Sequence, residues 1–132
     1  MPFVIREAIP NAAAFNRLRE AAGWGRIAPA VVDRGLARSV CSWCAFVDDE
    51  VVGFVRLVGD GAMKLSVEEL LVAPAYRRQG IARALMAQVM HYIEALPEGC
   101  TINLMAAEGM QDFYAALGFK VRPPERPGMQ MR

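Results

Sequence analysis

The sequence predicts a mixed α/β (α+β) fold, with helices packed on a mostly antiparallel sheet. Three observations predict it. Apolar spacing and turn residues along the chain give the order β-α-α-β-β-β-α-β-α-β. Two apolar runs, residues 40–47 and 51–58, are joined by the short polar link Asp48-Asp49-Glu50, which is the pattern of a hairpin. Finally, Ile81, Leu85, Val89 and Ile93 recur every four residues, marking a long helix that crosses over to a strand at 100–106.

Each element has a local reason. Residues 3–9 read as a short strand, broken by Pro10-Asn11. Asn11 is an N-cap for a first helix ending near Ala22, and Gly23-Trp24-Gly25 stops it. A second short helix runs from Pro29 to about Gly35, with proline early, where a missing N–H costs little. After the hairpin, Gly59-Asp60-Gly61 forms a turn and residues 64–73 a further strand, closed by Pro74. In the long helix Arg83, Gln88, His91 and Glu94 take the polar face, and Pro97-Glu98-Gly99 ends it. Residues 109–117 form a short helix with Gly118 as its C-cap, and 119–122 a last strand before a proline-rich tail.

The totals set bounds. A chain of 132 residues is expected to form one domain, taken here as 1–132, and 55% hydrophobic against 22% charged residues argues against disorder. A net charge of +1 supplies no bulk attraction to nucleic acid or to an anionic membrane, so neither is expected as a partner. No apolar run reaches the ~18 residues of a transmembrane helix, and the first residues lack the basic-then-apolar order of a secretion signal. Three cysteines, an odd count, argue against a disulfide framework. A cytoplasmic protein is the expectation. Cys41 and Cys44 have the spacing of half a zinc site, but no second pair exists and strand neighbours at that spacing face opposite ways; no metal is expected.

The chemistry concentrates at residues 67–83, which run strand, basic loop, helix. A helix start carries unpaired N–H groups and partial positive charge. Gly80 has no side chain to keep a ligand from that backbone, and Arg77, Arg78 and Arg83 add fixed charge. This is a site for a phosphate or pyrophosphate. It is not a P-loop, because no Gly-Lys-Ser/Thr occurs, and Gly59-x-Gly61 is not a dinucleotide fingerprint.

The stretch Arg77-x-x-Gly80-x-Ala82 resembles the signature of the GNAT acetyltransferase superfamily, Gln/Arg-x-x-Gly-x-Gly/Ala, preceded by Val72-x-Pro74-x-Tyr76. Phe113-Tyr114-x-x-Leu117-Gly118-Phe119 is similar to the family's C-terminal Tyr-x-x-x-Gly-Phe element. The resemblance covers about residues 45–120 and implies a sheet with a splayed central strand pair. It implies acetyl-CoA as co-substrate, with backbone groups of Leu70, Leu71 and Val72 on the pantetheine arm. Arg77, Arg78, Gln79, Gly80, Ile81, Ala82 and Arg83 would hold the pyrophosphate. Donors for the thioester oxygen would come from backbone N–H near Leu71 and Val72.

The activity implied is N-acetyl transfer to a primary amine of a small molecule or protein, by direct attack in a ternary complex. Tyr114 stands at the family's position for the acid that protonates the departing thiolate. Glu68 and Glu69 are candidates for the base, Glu68 preferred. Successive strand residues face opposite ways, so only one should enter the cleft unless a bulge intervenes. Many relatives carry an Asn seven residues before the tyrosine; here Ala107 stands there, followed by Glu108-Gly109. The alternative is a non-catalytic acyl-CoA sensor on the same fold. Trp24 is a candidate wall of the acceptor pocket. The acceptor's identity and the oligomeric state stay open, with a homodimer common among relatives.

Overall fold

The computed structural model describes residues 2–132. Five strands form one sheet in the order β1-β2-β3-β4-β5: β1 (Val4–Glu7), β2 (Cys41–Val47), β3 (Glu50–Gly59), β4 (Lys64–Val72) and β5 (Thr101–Asn103). The first three pairings are antiparallel and β4–β5 is parallel. The helices are α1 (Ala12–Ala21), α2 (Pro29–Ala37), α3 (Ile81–Glu94) and α4 (Gln111–Ala115). A single 3-10 turn, Pro74–Tyr76, links β4 to the loop before α3.

Helices cover both faces of the sheet. On one face Trp43, Val55, Leu57, Leu65 and Val67 meet Ile81, Leu85, Met86 and Val89 of α3, with Tyr114 of α4 in the same cluster. On the other, Cys44, Phe54 and Leu71 meet Phe15 and Leu18 of α1 and Val32 and Leu36 of α2. Phe15 and Phe54 pack edge to face with centroids 5.6 Å apart. Cys41 and Cys44 fall in opposite clusters, as strand alternation requires.

Two features locate α3. Gly53 on β3 lets the helix sit close, because a Cβ there would stand 2.9 Å from Ile81 Cγ2 and 3.2 Å from Leu85 Cδ1. Its N-cap is Gly80, at φ +85°, a conformation that favours glycine. At α1, Asn11 Oδ1 accepts from the Ala14 N–H at 2.8 Å, the expected cap and worth about 1 kcal/mol.

The turn at Gly59-Asp60-Gly61 is tight. Asp60 Oδ1 accepts from the N–H groups of Ala62, Met63 and Lys64 at 2.8–3.0 Å, which lowers the Asp60 carboxyl below its usual range. A Cβ on Gly59 would lie 2.1 Å from the Lys64 carbonyl oxygen. Gly59→Ala is therefore expected to cost about 2–4 kcal/mol by forcing this backbone apart, lowering Tm by roughly 10 °C in a thermal melt.

The structure departs from the sequence expectation at the C-terminal end. The strand expected over 100–106 forms only at Thr101–Asn103, and residues 119–122 form no strand. A strand is held by its partner. Beyond Ser66, β4 has left β5, and Met105 and Ala106 are exposed with no neighbouring ladder. Pro123-Pro124 then ends any extension of 119–122.

Candidate active site

β4 and β5 pair only at Lys64–Thr101, Leu65–Ile102 and Ser66–Asn103. From Val67 onward the outer edge of β4 is free, which is the expected splay. A cleft of about 750 Å³ opens along it. One wall is Leu70, Leu71 and Val72, and its basic end is Arg77, Arg78 and Gly80 with the first turn of α3. Ala107, Glu108, Met110 and Phe113 stand across from them, and Ala22 and Trp24 close the α1 side.

The basic end has the chemistry of an anion site. The first helical bond of α3 runs from Ala84 N–H to Gly80 O at 3.0 Å, so the N–H groups of Ile81, Ala82 and Arg83 have no helical partner. Arg78 takes a left-handed backbone at φ +63°, two residues before Gly80 does the same. A Cβ on Gly80 would meet nothing within 4 Å, so a side chain there would extend into open cleft. Arg77 Nε donates to Val72 O at 3.3 Å. The side chains of Arg77, Arg78 and Arg83 are exposed.

β4 carries a bulge beside the cleft. Phe54 pairs with Leu71 and Arg56 with Glu68, so one extra residue sits in β4, and Glu69 takes φ +51°. Up to the bulge, Leu65 and Val67 face α3. After it, Leu70 and Val72 do so while Leu71 faces α1 and α2. The bulge named as the exception to alternation is present, and it puts both glutamates on one face of the sheet while neither lines the cleft. Glu68, bonded by the Ser66 hydroxyl, and Glu69, paired with Arg56, both lie on the α1–α2 face.

The ladder also sorts the backbone groups of β4. Ala73 N–H bonds Val52 O at 2.8 Å, and Leu71 pairs with Phe54. Groups along a strand alternate between its two edges, so Leu71 turns its N–H to β3 while Val72 and Leu70 turn theirs to the gap. The Leu71 amide is thus occupied by the sheet.

Of the residues singled out from sequence, the cleft wall gathers Leu70, Leu71, Val72, Arg77, Arg78, Gly80, Ile81, Ala82 and Arg83. Gln79, Glu68, Glu69 and Tyr114 are not on that wall. The Tyr114 ring is buried, 5.2 Å from Phe113 and 6.0 Å from Phe119 by centroid, and burial raises its hydroxyl above the usual value of 10.0. No protein group bonds that hydroxyl among the described residues, yet no buried polar side-chain atom lacks a partner there. The hydroxyl is therefore not fully buried. Tyr114 and the two glutamates lie on opposite faces of the sheet.

Sequence reasoning missed the aromatic and acidic walls. Tyr76, Met110, Phe113 and Glu108 line the cleft. Tyr76 and Phe113 stand in the two family-like motifs and Glu108 follows Ala107, yet none is singled out there as a site residue, and nothing in the spacing marks Met110. Trp24 does line it, fixed by Arg19, whose guanidinium lies 5.7 Å from the ring and donates to Trp24 O and Gly25 O at 3.0 Å.

A sheet parted beside a basic helix start, with helices on both faces, defines an acetyltransferase-fold domain. A family model described as an acetyltransferase (GNAT) domain matches residues 16–129, and the chain belongs to that family. Among curated relatives, the chain is 30% identical over 82 residues to the GCN5-related N-acetyltransferase 2, chloroplastic, of Arabidopsis thaliana, covering 62% of this chain and 31% of that one. It is 25% identical over 118 residues to the uncharacterized N-acetyltransferase ycf52 of Gracilaria tenuistipitata var. liui, covering 86% and 64%. The chain thus spans between about a third and two thirds of the length of these relatives. A probable acetyltransferase of unknown function, SA2161 from meticillin-resistant Staphylococcus aureus, shares the fold with a TM-score of 0.92 over 99% of both chains at 23% identity. The GNAT family protein SP0256 from Streptococcus pneumoniae TIGR4 superposes with a TM-score of 0.75 at 28% identity, covering 91% of this chain and 89% of that one.

Proposed function

We propose that this chain, as one domain over residues 1–132, is an N-acetyltransferase that moves an acetyl group from acetyl-CoA to a primary amine. The observation that carries the reading is the cleft itself, a free strand edge leading to a basic, glycine-opened helix start. An extended ligand with amide groups fits the edge, and its pyrophosphate fits the N–H groups of Ile81, Ala82 and Arg83 with Arg78 and Arg83 beside them. Acetyl-CoA supplies the activated acetyl group when bound.

The chain's own groups divide the remaining work. The gap-facing N–H groups of Val72 and Leu70 donate to a carbonyl oxygen lying in the gap. Tyr114 holds its proton on the phenolic oxygen and gives it to the departing sulfur. Arg56 occupies Glu69, so Glu68 is the carboxylate left to take the proton of the amine, through water. The amine enters from the α1–α2 side, past Trp24, to attack directly in a ternary complex.

The test mixes the protein with acetyl-CoA and a panel of small and peptide amines, following free thiol release and identifying acetylated products by mass spectrometry. Turnover on at least one amine is expected. Acetyl-CoA binding without turnover on any amine would favour the sensor reading, which the placement of both glutamates off the cleft wall supports.

A further inference from the structure

We infer that Arg56 is a positioning residue, whose guanidinium clamps Glu69 and so holds the β4 bulge in the shape the acetyl-CoA cleft requires. The bulge needs holding. Glu69 has φ +51°, a left-handed backbone that disfavours an ordinary side chain by a population factor of about ten. Such a conformation persists where its surroundings over-determine it.

The polar partner of the Glu69 side chain is an arginine. In the ladder Arg56 stands opposite Glu68, not Glu69. It nevertheless grips Glu69 through two bonds, Nε to Oε2 at 2.5 Å and Nη2 to Oε1 at 2.9 Å. That fork-to-fork geometry fixes orientation as well as distance. A third donor, Nη1, reaches Gly35 O at 3.2 Å and Ser39 Oγ at 3.4 Å, at the C-terminal end of α2, where free carbonyls attract a cation. The guanidinium is thus fixed by α2 and in turn fixes the bulge. The side chains are only 19% and 12% exposed, and this is the only ion pair among the described residues. The carboxylate of Glu69 is spent on shaping its own strand. One residue on, Leu70 begins the cleft wall, so a slip of the bulge from Glu69 onto Leu70 would turn the gap-facing amide of Leu70.

The inference rests on the acetyl-CoA reading for one of its two measurements. Three variants decide it: Arg56→Met, Arg56→Met with Glu69→Gly, and Arg56→Met with Glu69→Ala. Acetyl-CoA affinity is measured by calorimetry, and exchange of the Leu71 amide, which faces Phe54 in the ladder, by mass spectrometry or NMR. Arg56→Met is expected to weaken binding about tenfold and speed Leu71 exchange. Both double variants remove the orphaned carboxylate, but only glycine accepts the left-handed backbone. The glycine variant should therefore return to within about threefold of the parent, while the alanine variant stays about tenfold weaker. Equal affinity and equal exchange in the two double variants would overturn the clamp, as would an unchanged Arg56→Met. If Arg56→Met alone does not fold, the glycine–alanine comparison still decides. If the parent protein binds no acetyl-CoA, the functional reading falls, and Leu71 exchange judges the clamp on its own.

Discussion

Replacing Gly80 with leucine is expected to abolish most acetyl-CoA binding while the rest of the fold survives. Two effects act together. Gly80 sits at φ +85°, so any side chain strains the loop by about 1–2 kcal/mol. The new side chain also extends into open cleft, beside the N–H groups proposed to meet the pyrophosphate. Together they should weaken affinity about a hundredfold, or roughly 3 kcal/mol, by calorimetry. No neighbour lies within 4 Å of the added Cβ, so the helix itself should stay packed through Ile81 and Leu85. Affinity within a few-fold of the parent would remove the pyrophosphate from the start of α3.

Tyr114→Phe carries the second large effect, and it should fall on kcat alone. The ring between Phe113 and Phe119 is retained, so packing changes little. What is lost is one proton donor, expected to lower kcat by about a hundredfold or more. KM for acetyl-CoA should hold, since Tyr114 lies off the cleft wall. The pH profile offers an independent check. An acid must be protonated to act, and burial raises the Tyr114 hydroxyl above its usual 10.0. The alkaline limb assigned to this group should therefore lie above that value, and it should vanish in the phenylalanine variant. An unchanged kcat would take the acid role from Tyr114.

The parts legible in the sequence were those governed by local chemistry. Asn11, Pro29, Gly80 and Pro97 mark helix ends by capping and ring geometry, and each helix they border lies within a few residues of its expected place. The basic end of the cleft was legible for the same reason, because strand, loop and helix are consecutive. What was hidden depends on partners distant in the chain. The strands expected at 100–106 and 119–122 have suitable apolar residues, but β4 leaves the first and no ladder reaches the second. The Arg56–Glu69 pair depends on a register shift that alternation alone cannot announce. Glu108 and Met110 become cleft walls only because the segment leading into α4 lines the same cleft as the parted edge of β4, far away in the chain.

The bulge has a consequence for the core as well. Omit Glu69, and Leu65, Val67, Leu70 and Val72 fall into one unbroken alternation facing α3, with Leu71 still facing α1 and α2. Both apolar clusters would keep every member. Glu69 is therefore surplus to the hydrophobic phase of the strand. A shortened chain lacking it would keep its oily interior and lose the one irregularity that distinguishes this strand from an ordinary rung of the sheet.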